Sequence, residues 1–280
     1  MNDGQQIDYL LIGHLARDLT AQGPTLGGSV AYAGRSARAL GRKAGLYSAA
    51  DPTLDLHAMQ GIPIHLLPSS SSTTFENIYS AQGRRQRLHG RAPQLEPDGL
   101  PIPWRQARLV HLAPIAAEVD LNWKGQFENS LLGLSAQGCL RQWDEDGWVS
   151  PRPWQTLKPY ADLADVIFLS TEDLVGDWDA AAHLAELCNM LIVTDGPRGA
   201  CLFDSGEPVT VPAPNMNEID PTGAGDIFAA AFLIHFEKHH DPEAAARFAN
   251  RLASNSVQRS GLASTPTQDE ARRARSEADI

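Results

Sequence analysis

The chain has 280 residues, 42% of them hydrophobic and 20% charged, which is enough apolar material for a sizeable core and excludes disorder as its main theme. Thirty-four acidic residues against 23 basic ones leave a formal charge of −11, and with no concentrated basic patch this argues against a nucleic-acid partner held by bulk electrostatic attraction. Cys139, Cys188 and Cys201 are odd in number and widely spaced, so neither a disulfide framework nor a zinc site is expected. The first residues lack the charged, apolar and small-residue order of a secretory signal, and the longest apolar stretch, Ile227 to Ile234, is far below the roughly 20 residues that cross a bilayer. A cytoplasmic protein without a membrane partner is expected.

In chain order, the short apolar run Tyr9 to Ile12 stops at Gly13, and the alanine-rich stretch Gly28 to Leu40 stops at Gly41, which reads as strand, loop and helix. Ser69 to Pro101 breaks the rhythm. Alternating residues flank the polar break Ala81-Gln82-Gly83, and this predicts a β-hairpin that stands apart from the main sheet as a small lid. Further strands are expected at Leu109 to Leu112, Val166 to Leu169 and Leu191 to Val193, and helices at Ala180 to Asn189, Ile227 to Lys238 and Pro242 to Gln258. The charged tail after Pro266 reads as a frayed end. Buried strands alternating with helices imply an α/β fold with a mostly parallel central sheet covered on both faces.

Several chemistries lack their central residues. No Gly-Lys pair exists, so a P-loop cannot be written on this chain, and Gly13-His14-Leu15-Ala16-Arg17 lacks the dinucleotide fingerprint. The histidines form no H-E-x-x-H, and no serine sits in G-x-S-x-G.

One motif carries chemistry. Asp220-Pro221-Thr222-Gly223-Ala224-Gly225-Asp226 lies directly before an apolar helix, where small residues let successive backbone N–H groups converge and the helix dipole adds partial positive charge. Such a nest of Gly223, Ala224 and Gly225 suits a phosphoryl group. Asp226 beside it is then a general base, taking the proton of an incoming alcohol while the nest stabilises the charge of the transferring group. The bland alternative is a helix-start carboxylate behind a flexible turn.

Residues Asp220 to Asp226 resemble the C-terminal signature of the ribokinase-like, or PfkB, carbohydrate kinases, and Gly27-Gly28-Ser29-Val30-Ala31-Tyr32-Ala33 through Leu40-Gly41 resembles their N-terminal one. Between them, Thr194-Asp195-Gly196-Pro197-Arg198-Gly199-Ala200 resembles the family's nucleotide turn, and Ser170-Thr171-Glu172-Asp173 stands where N-x-x-E is usual. The resemblance implies one ribokinase-like domain over residues 1–280, a three-layer α/β/α sandwich with a small β lid at 69–101. It also implies an ATP-dependent kinase acting on a hydroxyl of a small sugar or cyclitol, with the inositol-kinase-like branch slightly preferred. A nucleoside kinase of the same fold, or a non-catalytic sugar or nucleotide sensor, is the alternative.

By the same resemblance Asp226 is the catalytic base, and Thr194, Gly196 and Gly199 border the nucleotide phosphates and ribose, with Asn255 and Gly261 nearest the adenine. Glu172 and Asp173 organise Mg²⁺ through water, and Asp220 marks a possible monovalent-cation site such as K⁺. On the acceptor side the resemblance implies Asp18 as the leading hydroxyl contact, Gly27 and Gly28 for close backbone approach, Tyr32 where many sugar kinases carry an asparagine, and Arg141 in the turn Gln137 to Trp143. Arg84, Arg85 and Arg87 are candidates for closing over the site. Only nine positions separate Asp18 from Gly27, so closure is expected chiefly from Ser69 to Pro101, in a monomer or homodimer.

Overall fold

The computed structural model describes residues 5–80 and 83–278, side chains at 79, 80, 83, 84, 277 and 278 excepted; the expected hairpin tip at Ala81 and Gln82 and the side chain of Arg84 therefore lie outside the described residues. The strands are β1 (Tyr9–Ile12), β2 (Ala16–Thr20), β3 (Gly23–Gly27), β4 (Ala44–Ala50), β5 (Ile64–Pro68), β6 (Thr73–Ser80), β7 (Gly83–Gly90), β8 (Leu109–Leu112), β9 (Leu131–Ser135), β10 (Arg141–Trp143), β11 (Val149–Pro151), β12 (Val166–Ser170), β13 (Leu191–Thr194), β14 (Ala200–Phe203) and β15 (Val209–Val211). The helices are α1 (Ser29–Ala39), α2 (Trp178–Ala185), α3 (Ala224–His239), α4 (Pro242–Ser256) and α5 (Gln268–Ala278).

Alternation within β1 decides the layering. Tyr9 and Leu11 join one buried cluster while Leu10 and Ile12 join another, as neighbours along a strand must. The first cluster collects α1, α3, α4 and α5, and the second collects α2 and short 3₁₀ turns carrying the fully buried Trp104 and Trp123. Between them lies a nine-stranded sheet of order β15-β14-β13-β12-β9-β8-β1-β4-β5. Its strands from β13 to β5 run parallel, and β14 and β15 close one edge antiparallel. The three-layer α/β/α architecture is the expected one. Among the described residues, no helix is long and apolar enough to cross a membrane.

Two expectations are corrected. The tail after Pro266 is the helix α5, docked through Ala271 and Ala274, which are 1% and 4% exposed, and tied by the Arg259–Glu270 ion pair. Alanines three apart make only a narrow apolar stripe, too weak to stand out against the surrounding charge. The lid is also larger than the hairpin: β6 and β7 belong to a second sheet of order β3-β2-β6-β7, so residues 16–27 supply half of its strands. Gly23, at φ +115°, makes the tight β2–β3 connection possible, which is why so few residues suffice for two strands. A smaller difference is that α2 ends at Ala185, and the segment to Asn189 is turn.

The sheet order reverses between β1 and β8: the chain leaves β1 for β4 and β5 on one side and returns through β8, β9, β12 and β13 on the other. A parallel sheet opens a crevice at the carboxyl ends of the strands where its order reverses. Here that crevice is built around Glu118, which is fully buried. Its carboxylate accepts from the backbone N–H of His14 just past β1 at 2.8 Å, and from those of Ile115 at 3.0 Å and Ala116 at 2.7 Å just past β8. Those N–H groups lie where both strands have ended, so the ladder cannot satisfy them and the carboxylate does.

Glu118→Ala strands these buried donors at about 1–3 kcal/mol each before relaxation, so a loss of about 3 kcal/mol or more is expected in urea unfolding. Glu118→Gln keeps one acceptor oxygen and should lose roughly half as much.

Candidate active site

The helix α3 is apolar on all sides, and Ile227 to Ile234 are buried without a break, so it is a central element rather than a surface one. Each large side chain fully buried there contributes about 1.5–3 kcal/mol, which anchors the helix and fixes where its first turn points. Gly223 is its N-cap in the left-handed region, with φ +82°. The Ala224 N–H turns back to the Pro221 carbonyl at 3.1 Å, leaving the N–H groups of Gly225 and Asp226 at the helix start without acceptors inside the helix. Open space faces the position where a Gly225 side chain would stand. Of the three residues expected to form the nest, Ala224 thus contributes shape, and the open amides follow it.

Asp226 lies in the first turn of α3 and takes a hydrogen bond from the Ser29 hydroxyl. Burial pushes its carboxyl up to about 6; the Ser29 bond and the Arg141 charge pull the other way, and Asp173 adds to the rise. Ser29 is the first residue of α1, and it went unremarked in the sequence although it follows Gly27-Gly28. Gly28, at φ +92°, brings the start of α1 against the backbone of His14 and Ala16, where a side chain at Gly28 would meet the His14 carbonyl oxygen at 2.5 Å.

The residues expected at the acceptor are drawn from several elements. The Asp18 carboxylate on β2 lies against Gly27 on β3 and occupies the space a Gly27 side chain would fill. Arg141 donates to the Ile115 carbonyl at 3.2 Å, and its guanidinium carbon stands 5.7 Å from the centre of the Phe75 ring on β6. Phe75 packs with Leu88, Ile115 and Ala116 on the lid face turned toward the crevice. Tyr32 is placed differently from its expected role at the substrate. It is 3% exposed, and its ring lies against Gly223, filling the place of a side chain there. It supports the bend before α3 from below.

Arg85 and Arg87 of the lid are engaged with Trp148. Arg85 stacks on Trp148, 3.9 Å from guanidinium to ring centre, and Arg87 stands over the same ring at 5.5 Å while donating to the Asp146 carbonyl at 2.7 Å. Gln86 and Asn77 share the face of Phe75 and Leu88 and are bonded to each other across the strands at 3.0 Å.

Among the residues expected at the nucleotide, Thr194 ends β13 and donates to the Leu169 carbonyl at 3.3 Å. The turn that follows is closed by Asp195 N–H to the Gly199 carbonyl at 2.7 Å. Gly199, at φ +103°, has no room for a side chain because the Val211 carbonyl fills that place, while open space stands beside Gly196. Arg198 holds Asp195 with paired bonds of 2.6 Å, and this keeps the Asp195 carboxyl below its usual range. Open space also faces Gly261, and Asn255 is half-buried on α4. Asp220 accepts from Thr222 N–H at 3.0 Å and Gly261 N–H at 3.2 Å, joining the two loops.

Glu172 is exposed, and one Asp173 oxygen is held by the backbone and hydroxyl of Ser170 at 2.8 and 2.7 Å. Among the described residues, no group of three or more His, Cys, Asp or Glu could hold a metal ion. A site for magnesium here would therefore be shared with phosphate oxygens and water, a donor set that this ion accepts.

Comparison with known proteins agrees with this geometry. Residues 135–269 match the model of the pfkB family carbohydrate kinases. The chain has the ribokinase fold, and about half of it resembles the pfkB family carbohydrate kinases. It is 27% identical over 201 residues to the acarbose 7(IV)-phosphotransferase of an Actinoplanes species, a stretch that is 66% of this chain and 63% of that one. Against its first curated relatives, the matched stretches span between 23% and 63% of the relatives' own lengths. Among solved structures, a pyrophosphate-dependent kinase in the ribokinase family, complexed with a pyrophosphate analog and myo-inositol, superposes with TM-score 0.80 at 20% identity over 94% of this chain and 99% of that one. Arabidopsis thaliana ribokinase complexed with ribose and ATP does so with TM-score 0.76 at 18% identity, over 96% and 99%. At those identities the two superpositions speak to the fold.

Gly223→Ala meets both a left-handed backbone, at about 1 kcal/mol, and the Tyr32 ring. A lowered melting temperature is expected, and Tyr32→Ala added to it should relieve the clash while leaving the backbone strain, which a thermal melt of the single and double variants resolves.

Proposed function

We propose that the protein transfers the γ-phosphoryl group of ATP to a hydroxyl of a small neutral polyol, a cyclitol or monosaccharide. The observation carrying this reading is Asp226 itself, a half-buried carboxyl with a raised pKa, held by Ser29 beside the open amides that begin α3. A carboxylate beside an anion-binding helix start has an evident use as a proton acceptor.

In this mechanism the acceptor lies between Asp18 and Phe75, with one hydroxyl directed at Asp226. Asp226 takes that proton as the oxygen attacks, and the N–H groups at the start of α3 meet the charge spread over the transferring group. Arg141 adds positive field at the same place. Thr194, Gly196 and Gly199 border the donor phosphates, and Asn255 and Gly261 offer the open side for its base. Glu172 and Asp173 would hold Mg²⁺ through water, and magnesium bound there supplies charge neutralisation on the phosphates. Asp220 is the residue for a K⁺-like ion, should one be used. The lid keeps water from competing with the acceptor.

A nucleoside acceptor would call for an apolar wall of Tyr32 and Phe75 together. With Tyr32 beneath Gly223, Phe75 alone remains, and this favours the polyol.

A coupled ADP assay over pentoses, hexoses, inositols and nucleosides tests the reading with ATP as donor, and a second arm with pyrophosphate reads the phosphorylated acceptor directly. Acceptor-dependent ADP release is expected for one polyol class; ligand binding without turnover would instead indicate a sensor. Asp226→Asn should lower turnover by about 10²-fold or more with donor affinity largely kept. Wild-type turnover in that variant would refute the assigned base.

The pH dependence follows from the raised pKa. A protonated Asp226 cannot accept a proton, so kcat/KM should fall about tenfold per unit below about pH 6 and level off above it. Stability runs the opposite way: a carboxyl raised by folding costs stability once pH exceeds its folded pKa and costs none below its unfolded one. Asp226→Asn should therefore melt higher than wild type at pH 8, and the difference should vanish near pH 3.

A further inference from the structure

His14 is fully buried just past β1, and it is the side chain on which the two feet of the lid hairpin meet. Its Nδ1 is 2.7 Å from the Thr73 hydroxyl, at the first residue of β6, and its Nε2 is 2.9 Å from the Pro93 carbonyl, just past the end of β7. A carbonyl only accepts, so Nε2 carries the ring proton and Nδ1 accepts from Thr73. The Thr73 oxygen in turn accepts from the Ala92 N–H at 3.1 Å. Because Ala92 and Pro93 are joined by a peptide bond, the bonds close into a ring: Ala92 N–H to Thr73, Thr73 to His14, His14 to Pro93.

The ring has links in both directions. The backbone N–H of His14 is held by Glu118 at 2.8 Å, which fixes the residue to the crevice floor. Its carbonyl oxygen lies against Gly28, the residue before Ser29, which bonds Asp226. The second foot is braced separately by Arg91, whose guanidinium donates to the Ala116 and Ala117 carbonyls at 2.7 and 2.8 Å. Burial lowers the His14 pKa, while Glu118, whose carboxylate is 3.9 Å from Nδ1, opposes this, in keeping with the neutral ring that the bonding pattern needs.

We propose that His14 and Thr73 form a positioning staple that sets the lid's angle over the crevice and keeps it in step with the backbone that carries Ser29 and Asp226, so that donor turnover is coupled to a seated acceptor. Both side chains are fully buried, so the staple acts by position. Its effect rests on the kinase reading, because a lid that stands off the crevice admits water to the same open amides, and phosphoryl transfer then goes to water.

Thr73→Val keeps the shape and removes both hydroxyl bonds, whereas Thr73→Ser keeps the hydroxyl. In Thr73→Val the ratio of acceptor-dependent transfer to acceptor-independent ADP release should fall about tenfold or more, with the acceptor KM rising, and Thr73→Ser should restore both. Amide hydrogen exchange should quicken over 73–93 in the valine variant and stay at wild-type rates in β1, β8 and β12. Should Thr73→Val not fold, Thr73→Ala carries the same expectations.

Wild-type coupling and lid exchange in the valine variant would overturn the staple, as would exchange quickened evenly through the whole chain, which marks general destabilisation. Absence from the wild type of both ADP release from ATP and phosphorylated product from pyrophosphate, with every acceptor, would sink the kinase reading instead. The exchange measurement would still decide whether the ring holds the lid.

Discussion

The hydrogen bonds that Glu118 accepts at the ends of β1 and β8 are the constraint on which the site rests. Parallel strands leave unsatisfied backbone groups where they end, and at a reversal of strand order two such ends separate around an open crevice. A buried carboxylate is costly unless its acceptors are filled, and here the N–H groups of His14, Ile115 and Ala116 fill them. One side chain thereby holds the crevice floor, sets His14 beneath the lid, and leaves Ile115 placed to receive Arg141. Groups that are remote in sequence are thus referred to one rigid point.

The other half of the chemistry depends on α3 being buried along most of its length but not at its start. A helix hydrophobic on every side has no surface stripe to slide along, so its first turn is held against the sheet and against α1. This rigidity allows Asp226 to sit where burial raises its pKa toward the operating range of a general base. The same placement opposes stability at neutral pH, a common trade at functional sites. Tyr32 takes part from below, its ring packed against Gly223.

What the sequence disclosed follows from the range of the interactions. β1 and β8 stand at the residues that their apolar runs predicted, because a strand buried on both faces writes itself as a continuous run. The Asp220 to Asp226 bend was legible because its parts are neighbours in the chain. The strands of residues 16–27 were missed, since half-buried lid strands such as Ala16-Arg17-Asp18-Leu19-Thr20 carry little apolar alternation. Ser29, His14, Thr73 and Glu118 gave no signal of their own. The bond from Glu118 to His14 spans 104 positions and that from Thr73 to His14 spans 59, and no local pattern encodes such pairs. Tyr32 was misplaced for the related reason that a motif position does not say which way a ring turns.

The two halves of the crevice differ in kind. In one half, Asp18 lies on Gly27, Arg141 is bonded to Ile115, and the hairpin feet are bonded to His14 and Arg91, so these groups are already fixed in geometry. In the other, Gly196, Gly225 and Gly261 face open space, and the connection from Asn215 to Glu218 before the Asp220 bend is exposed. Preorganisation lowers the ordering cost of binding where it exists, and it exists in the first half. Asp220 ties the bend before α3 to the Gly261 loop, while Ser29 at the start of α1 bonds Asp226 in the first turn of α3. Asp226 therefore stands where the braced half of the crevice meets the open one.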